Sequence, residues 1–319
     1  MKGEVFMKLR LRSAAALAIF LLISFPPANA WNSIGHMAVA YTAWQQLTPA
    51  TRQRAIVLLE KNPNYNKWLS YIPAGTSDDD RNLYVFMMAA TWPDEIKAQD
   101  SGYQLDGDIP PRTAEATNNS GFSDKYMHKY WHFVDVPFST DGTALPSIPT
   151  PNAQTQITAF RQALASNASD DVKAYDLVWI LHLVGDVHQP LHCAERITAA
   201  DHRGDGGGNS VKLTNDPGDL HGYWDNLLGI GETKNYQVAV TAAKQLPEAD
   251  SAASDANEAD WVQESFHLAQ TDVYVAPVGP ALGPYTLDAS YGSKALAIAQ
   301  QRVALAGARL ANLLNTDLK

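Results

Sequence analysis

His182 and Asp186 stand four residues apart in ILHLVGDVHQPLH, and His192 closes that run just after Pro190. A second pair with the same spacing, His221 and Asp225, occurs in DLHGYWD. Residues four apart on a helix share a face, so each pair can aim an imidazole and a carboxylate at one point. Neutral imidazole and carboxylate are ordinary zinc ligands. Three further contexts add single groups of the same kind: His36 in WNSIGH, Asp94 in ATWPDEIK and His132 in KYWHFVD. One such pair alone is commonly a local hydrogen bond on a helix face. The sum is different, because buried His and Asp are costly without compensation, and these groups all lie among apolar and aromatic residues. Bound metal would compensate them.

The elements that must position these groups read as helices. Helical periodicity recurs over roughly 36–46, 49–61, 80–91, 152–166, 171–187, 236–247, 257–272 and 292–316, while strand signals are sparse. Thr48-Pro49 supplies a cap and a Pro at the first helical position, and Asn62-Pro63 closes that segment. Ser77 followed by Asp78, Asp79 and Asp80 suits the positive end of a helix dipole. In the last helix, Leu296, Ala299, Val303, Ala306, Leu310 and Leu313 trace an apolar face. Gly- and Pro-containing loops at 100–124, 136–151, 199–219 and 275–291 separate the helices, with no long flexible linker and no repeat. The expected fold class is all-α: one mainly helical domain with long loops.

Residues 1–30 read as a signal peptide. Lys8, Arg10 and Arg12 precede the apolar run AAALAIFLLISF, and Ala28-Asn29-Ala30 gives the small-x-small pattern of a cleavage site. The run is shorter than the roughly 20 residues of a membrane span. Met7 offers an alternative start to Met1. The expectation is a secreted or periplasmic protein with no membrane anchor after processing, its functional domain at 31–319 and its new N-terminus at Trp31. The leader carries Lys2, Lys8, Arg10 and Arg12 against Glu4, a net of +3, so removing it takes the formal charge from −10 to −13. Such a surface repels nucleic acid unless positive charge is supplied locally. Cys193 is the single cysteine, so an intrachain disulfide is excluded.

The ordered set W-x4-H, W-x-D, W-H-F-x-D, H-x3-D-x5-H, GD-x-GGN and H-x3-D runs from Trp31 to Asp225. On it, the chain resembles the zinc-dependent single-strand-specific nucleases, or 3′-nucleotidases, known from the mould nucleases S-one and P-one. That family is similar to the bacterial zinc phospholipases C and shares with them a helical fold around three zinc ions. The resemblance implies one zinc held by Asp94, His132, His182 and Asp186. A second would be held by the Trp31 amine and carbonyl with His36 and the bridging Asp186, and a third by His192, His221 and Asp225. Trp31 would thus gain its ligand amine from the cleavage itself, and an α-amine titrates near 8, within reach of zinc.

The implied activity is endonuclease and 3′-nucleotidase hydrolysis of single-stranded DNA, RNA and 3′-nucleotides to 5′-phosphate products by a metal-activated hydroxide. Asp94 and Asp186 belong to the expected catalytic set, with Lys97 reaching for substrate phosphate. The family analogy makes Phe133 stack on a base, Asp135 accept hydrogen bonds from its edge, and Asn209 line the same pocket. Metal charge at the scissile group would replace a basic groove, which predicts a shallow salt dependence of single-strand binding; a steep fall in affinity with salt would contradict it. The protein is expected to act as a monomer. His128, His188, His202 and His267 match no ligand position and read as structural or surface residues. The missing disulfides point to a bacterial-type member, and Asn32 stands where Gly is usual. Two other readings compete: a zinc phospholipase C acting on lipid headgroups, and an exported zinc-binding protein without catalysis.

Overall fold

A computed structural model describes residues 31–215 and 217–318. The leader expectation over residues 1–30 lies outside the described residues. The order of elements is α1 (Ser33–Gln46), α2 (Pro49–Leu59), α3 (Tyr65–Ser70), α4 (Asp78–Ala89), α5 (Trp92–Glu95), β1 (Pro137–Ser139), α6 (Ala153–Ala165), α7 (Asp170–Asp186), β2 (Glu195–Ile197), α8 (Leu220–Asp225), α9 (Tyr236–Ala243), α10 (Glu258–Leu268) and α11 (Ala289–Asp317). The mainly helical, single-domain reading holds.

The caps explain most helix starts. Asn32, Thr48, Ser77, Asn152 and Ser169 each accept a backbone N–H of the first turn, satisfying donors that the helix itself cannot. Pro49 follows its cap as expected, and Asp78, Asp79 and Asp80 occupy the first turn of α4.

α7 is the central element. Every residue from Lys173 to Asp186 is buried, so it is covered on all sides, chiefly by α1, α2, α6 and α11. One of its flanks is an aromatic cluster in which Trp179 meets Trp131 at 5.0 Å and Trp92 at 6.2 Å, both edge-on. The same indole of Trp179 lies 5.4 Å from the His132 ring, so this packing reaches the candidate ligands directly. A second, smaller core of Leu191, Val211, Leu220, Trp224 and Tyr291 backs α8.

Three short elements escape the periodicity reading: α3, α5 and α8. The described residues also contain a two-stranded parallel sheet, β1 with β2, pairing Phe138 with Arg196. It continues a backbone link in which Val134 donates to the His192 carbonyl at 2.7 Å and Glu195 donates to that of Val136 at 3.0 Å. The chain after His132 is thereby tied to the chain after His192. Two expectations need correction. Leu296 is 37% exposed and outside the apolar face of α11, because the N-terminal turns of that long helix run beyond the main core. The predicted helix over 257–272 is α only to Leu268 and continues as a π-helical turn, Ala269–Val273. Among the described residues no helix is long and apolar enough to cross a membrane.

Candidate metal centre

α7 delivers His182 and Asp186 on one face, as their spacing requires. His182 donates Nδ1–H to the Ala90 carbonyl at 2.8 Å, which leaves its Nε2 lone pair turned inward. That Nε2 lies 3.0 Å from His132 Nδ1, 3.4 Å from Asp186 Oδ2 and 3.6 Å from Asp94 Oδ1. α5 is short and starts with Pro93 in its first turn; it presents Asp94. α1 brings His36, whose ring stacks on His182 at 3.7 Å and whose Nε2 lies 3.4 Å from Asp186 Oδ1. Trp31 is fully buried beside them and donates its indole N–H to the Gly185 carbonyl at 3.1 Å.

His192 follows the turn after Pro190 and donates Nδ1–H to the His132 carbonyl at 2.7 Å. His221, on α8, donates Nδ1–H to the Gly207 carbonyl at 2.8 Å. Its Nε2 lies 3.5 Å from Asp225 Oδ2, four residues along the same helix. Three groups of ligand atoms result: His36, His182 and Asp186; Asp94, His132 and His182; His192, His221 and Asp225. Within each group the atoms lie within 4.8 Å of one another.

The donor chemistry fits a cation. His192 and His221 both spend their Nδ1 protons on carbonyls, so two Nε2 lone pairs face each other across 3.0 Å. Burial, then the neighbouring His221, pushes His192 well below the usual imidazole range, so it stays neutral with no second proton to place between them. His36 makes no hydrogen bond at either ring nitrogen although fully buried, and His132 Nε2 is equally orphaned. His36, His132 and His182 are likewise pushed well down, chiefly by burial, while burial and Asp94 push Asp186 well up. A set of buried lone pairs without protons, beside carboxylates, is what a metal ion satisfies.

The surrounding residues divide clearly. The Lys97 side chain is 4% exposed and reaches inward, its Nζ 2.7 Å from Asp94 Oδ1. Phe133 and Asp135 line one cleft with Pro110, Tyr130, Pro149, Pro151 and Asn152. Burial, with Asp108 and Asp205 nearby, pushes the Asp135 carboxyl up to about 7. Asn209 lies on the glycine turn that supplies the His221 carbonyl partner, with its own amide donating to Gly206 at 2.6 Å. His128 and His188 are buried and structural: His128 sits between Asp124 and Asp106, and His188 accepts from Arg309. The sequence reading overlooked Gln189, which donates to Asp225 Oδ1 at 2.7 Å and whose place three residues after Asp186 was its only signal.

The profile of the S1/P1 nuclease family matches residues 31–319, a span containing every one of these groups. The chain belongs to that family. Among curated relatives, nuclease S1 of Aspergillus oryzae is 25% identical over 241 residues, covering 72% of this chain and 63% of that protein. Endonuclease 2 of Arabidopsis thaliana is 26% identical over 177 residues, 51% of this chain and 58% of the relative. Endonuclease 4 of the same plant is 30% identical over 178 residues, 47% of this chain and 54% of the relative. The matched regions thus span somewhat under two thirds of each relative's length.

Proposed function

We propose that this S1/P1-family protein is an exported zinc-dependent endonuclease and 3′-nucleotidase that hydrolyses single-stranded DNA and RNA to 5′-phosphate products. The observation that carries it is the convergence of three His/Asp groups, buried except at Asp94, with lone pairs facing lone pairs, on one region. The residues to hold zinc are Asp94, His132, His182 and Asp186; Trp31, His36 and Asp186; and His192, His221 and Asp225. Zinc supplies Lewis acidity there, lowering the pKa of water and offsetting phosphate charge.

The chain's own residues do the rest. Asp186, fully buried, turns Oδ1 to His36 Nε2 at 3.4 Å and Oδ2 to His132 Nδ1 at 3.2 Å, so its two oxygens face the two ligand sets proposed to share it. Lys97 brings a positive charge to the edge of Asp94, where a phosphate oxygen would arrive. Phe133 offers an aromatic ring beside His132, and a base must leave its helix stack to use it, which favours single strands. Asp135 in the same cleft provides carboxyl oxygens to a base edge. The acidic surface gives no broad attraction for the strand, so recognition is concentrated at these residues.

The test combines metal analysis of protein starting at Trp31 with digestion of single-stranded DNA, RNA and 3′-AMP, followed by end-group analysis. Zinc uptake, cleavage of all three and 5′-phosphate ends are expected. Full cleavage in the presence of chelator would overturn the zinc requirement. Hydrolysis of phosphatidylcholine with no cleavage of polynucleotide would move the protein to the lipid-headgroup reading.

A further inference from the structure

Glu195 belongs to none of the three ligand groups, yet its carboxylate is tied to one of them. It opens β2 and is 8% exposed. Its Oε1 accepts the Gly206 N–H at 3.0 Å and its Oε2 accepts that of Gly207 at 2.9 Å. The far side of the Gly207 residue is the carbonyl that accepts Nδ1–H from His221. Orientation therefore passes from the Glu195 carboxyl through one glycine to the imidazole, and leaves Nε2 of His221 facing His192.

The loop is shaped around this carboxyl. A Cβ on Gly204 would fall 1.5 Å from Glu195 Oε1, and one on Gly207 would fall 2.4 Å from the Leu191 carbonyl oxygen. Both glycines also hold positive φ, +93° and +57°, a region that side chains disfavour. Asp205 secures the next amide, accepting Gly208 N–H at 3.2 Å, and is itself held by Arg196 Nε at 3.1 Å and the Tyr274 hydroxyl at 3.0 Å. Two carboxyls thus hold three successive glycine amides directly behind a candidate ligand.

We infer that Glu195 is a positioning residue for the His192–His221–Asp225 group: it fixes the Gly206–Gly207 backbone so that the Gly207 carbonyl holds His221 in the Nδ1–H tautomer with Nε2 available to metal. This rests on the metal reading above. Outer partners of a metal-bound histidine typically change affinity 10- to 100-fold when removed.

The experiment uses the full chain from Trp31, comparing wild type, Glu195→Gln and Asp225→Ala. Gln keeps one acceptor oxygen and sets an NH2 group against the other N–H. Zinc retained per chain is measured across a series of chelator-buffered zinc concentrations. One equivalent should weaken 10- to 100-fold in Glu195→Gln, the same equivalent that Asp225→Ala loses, with the others unchanged. Equal weakening of every equivalent would show a merely structural role, and no weakening would show none; either overturns the inference. Long-range 1H–15N spectra of the zinc-free protein give a second readout: His221 should be an Nδ1–H tautomer in wild type and a mixture in Glu195→Gln. A pure Nδ1–H tautomer in the variant refutes the inference whether or not zinc binds, while wild type that takes up no zinc refutes the metal reading alone. Should Glu195→Gln not fold, Gly204→Ala displaces the same carboxyl, its Cβ falling 1.5 Å from Oε1, and must give the same selective pattern.

Discussion

Phe133 and His128 flank the same histidine, His132, and do unlike work. Phe133 is half-buried against the core and faces the cleft that Asp135 shares. Base stacking on an aromatic is worth about 1–3 kcal/mol, so Phe133→Ala should raise KM for a single-stranded oligonucleotide roughly 5- to 150-fold with metal content unchanged. An oligonucleotide lacking bases should be cut equally by both proteins; an equal loss on that substrate would rule stacking out. His128 has φ +46°, stacks on Trp131 at 3.6 Å, and pairs with Asp124 at 2.7 Å and Asp106 at 3.2 Å. Burial opposes its charge, but the hydrogen bonds its ring donates to Asp106 and Asp124 outweigh burial and raise its pKa above 6.5. A group raised on folding stabilises fully below its unfolded pKa and stops doing so as pH climbs through the folded value. His128→Asn keeps a residue that tolerates this φ, so its Tm deficit should be widest below about pH 6 and shrink in alkaline buffer. A deficit independent of pH would mean that the imidazole's charge plays no part.

At the scale of elements, the long helices were legible because capping and apolar periodicity agree, as at Thr48-Pro49 and along α11. Among the candidate ligands, the pairs His182–Asp186 and His221–Asp225 were legible for a related reason: a four-residue spacing is a statement about one helix face. α5 and α8 were not, although they carry Asp94, His221 and Asp225. Helices of four and six residues have almost no intrinsic stability and exist through packing, which leaves no periodic trace. The β1–β2 pair, three residues each way, is silent for the same reason, and with it went the role of Glu195. Nothing local in ATWPDEIK shows that the Lys97 side chain turns inward to Asp94. The crossing of α1 and α11 offers a clean test of element packing. A Cβ on Gly307 would meet Thr42 Cβ at 2.5 Å, Thr42 Cγ2 at 2.6 Å and the Val39 carbonyl oxygen at 3.1 Å. Alanine favours a helix over glycine by about 1 kcal/mol, but forcing atoms into a packed contact costs about 1–3 kcal/mol. Gly307→Ala should therefore lower Tm by a few degrees. An unchanged or higher Tm would show that the two helices part at no cost.

For the molecule as a whole, the question is what closes a chain of this length without a single crosslink of its own. Cys193 is buried and has no partner cysteine. The candidate ligands come from α1, α5, the segment at His132, α7, the turn at His192 and α8, so each metal group joins elements distant in sequence. Removing ions would leave neutral imidazoles and orphaned lone pairs buried together, each an uncompensated polar group. Binding to the folded state alone stabilises it by about 4 kcal/mol per site when free zinc exceeds the dissociation constant about a thousandfold. Chelation should accordingly lower Tm by many degrees, and added zinc should restore it in steps as separate groups fill. Because the candidate ligands lie on α1, α5, α7, α8 and the segments at His132 and His192, the loss should span these elements, with amide exchange quickening in α1, α7 and α8 together. A melting curve indifferent to chelator would mean that the helical core closes alone, and that the buried His/Asp groups persist at its expense.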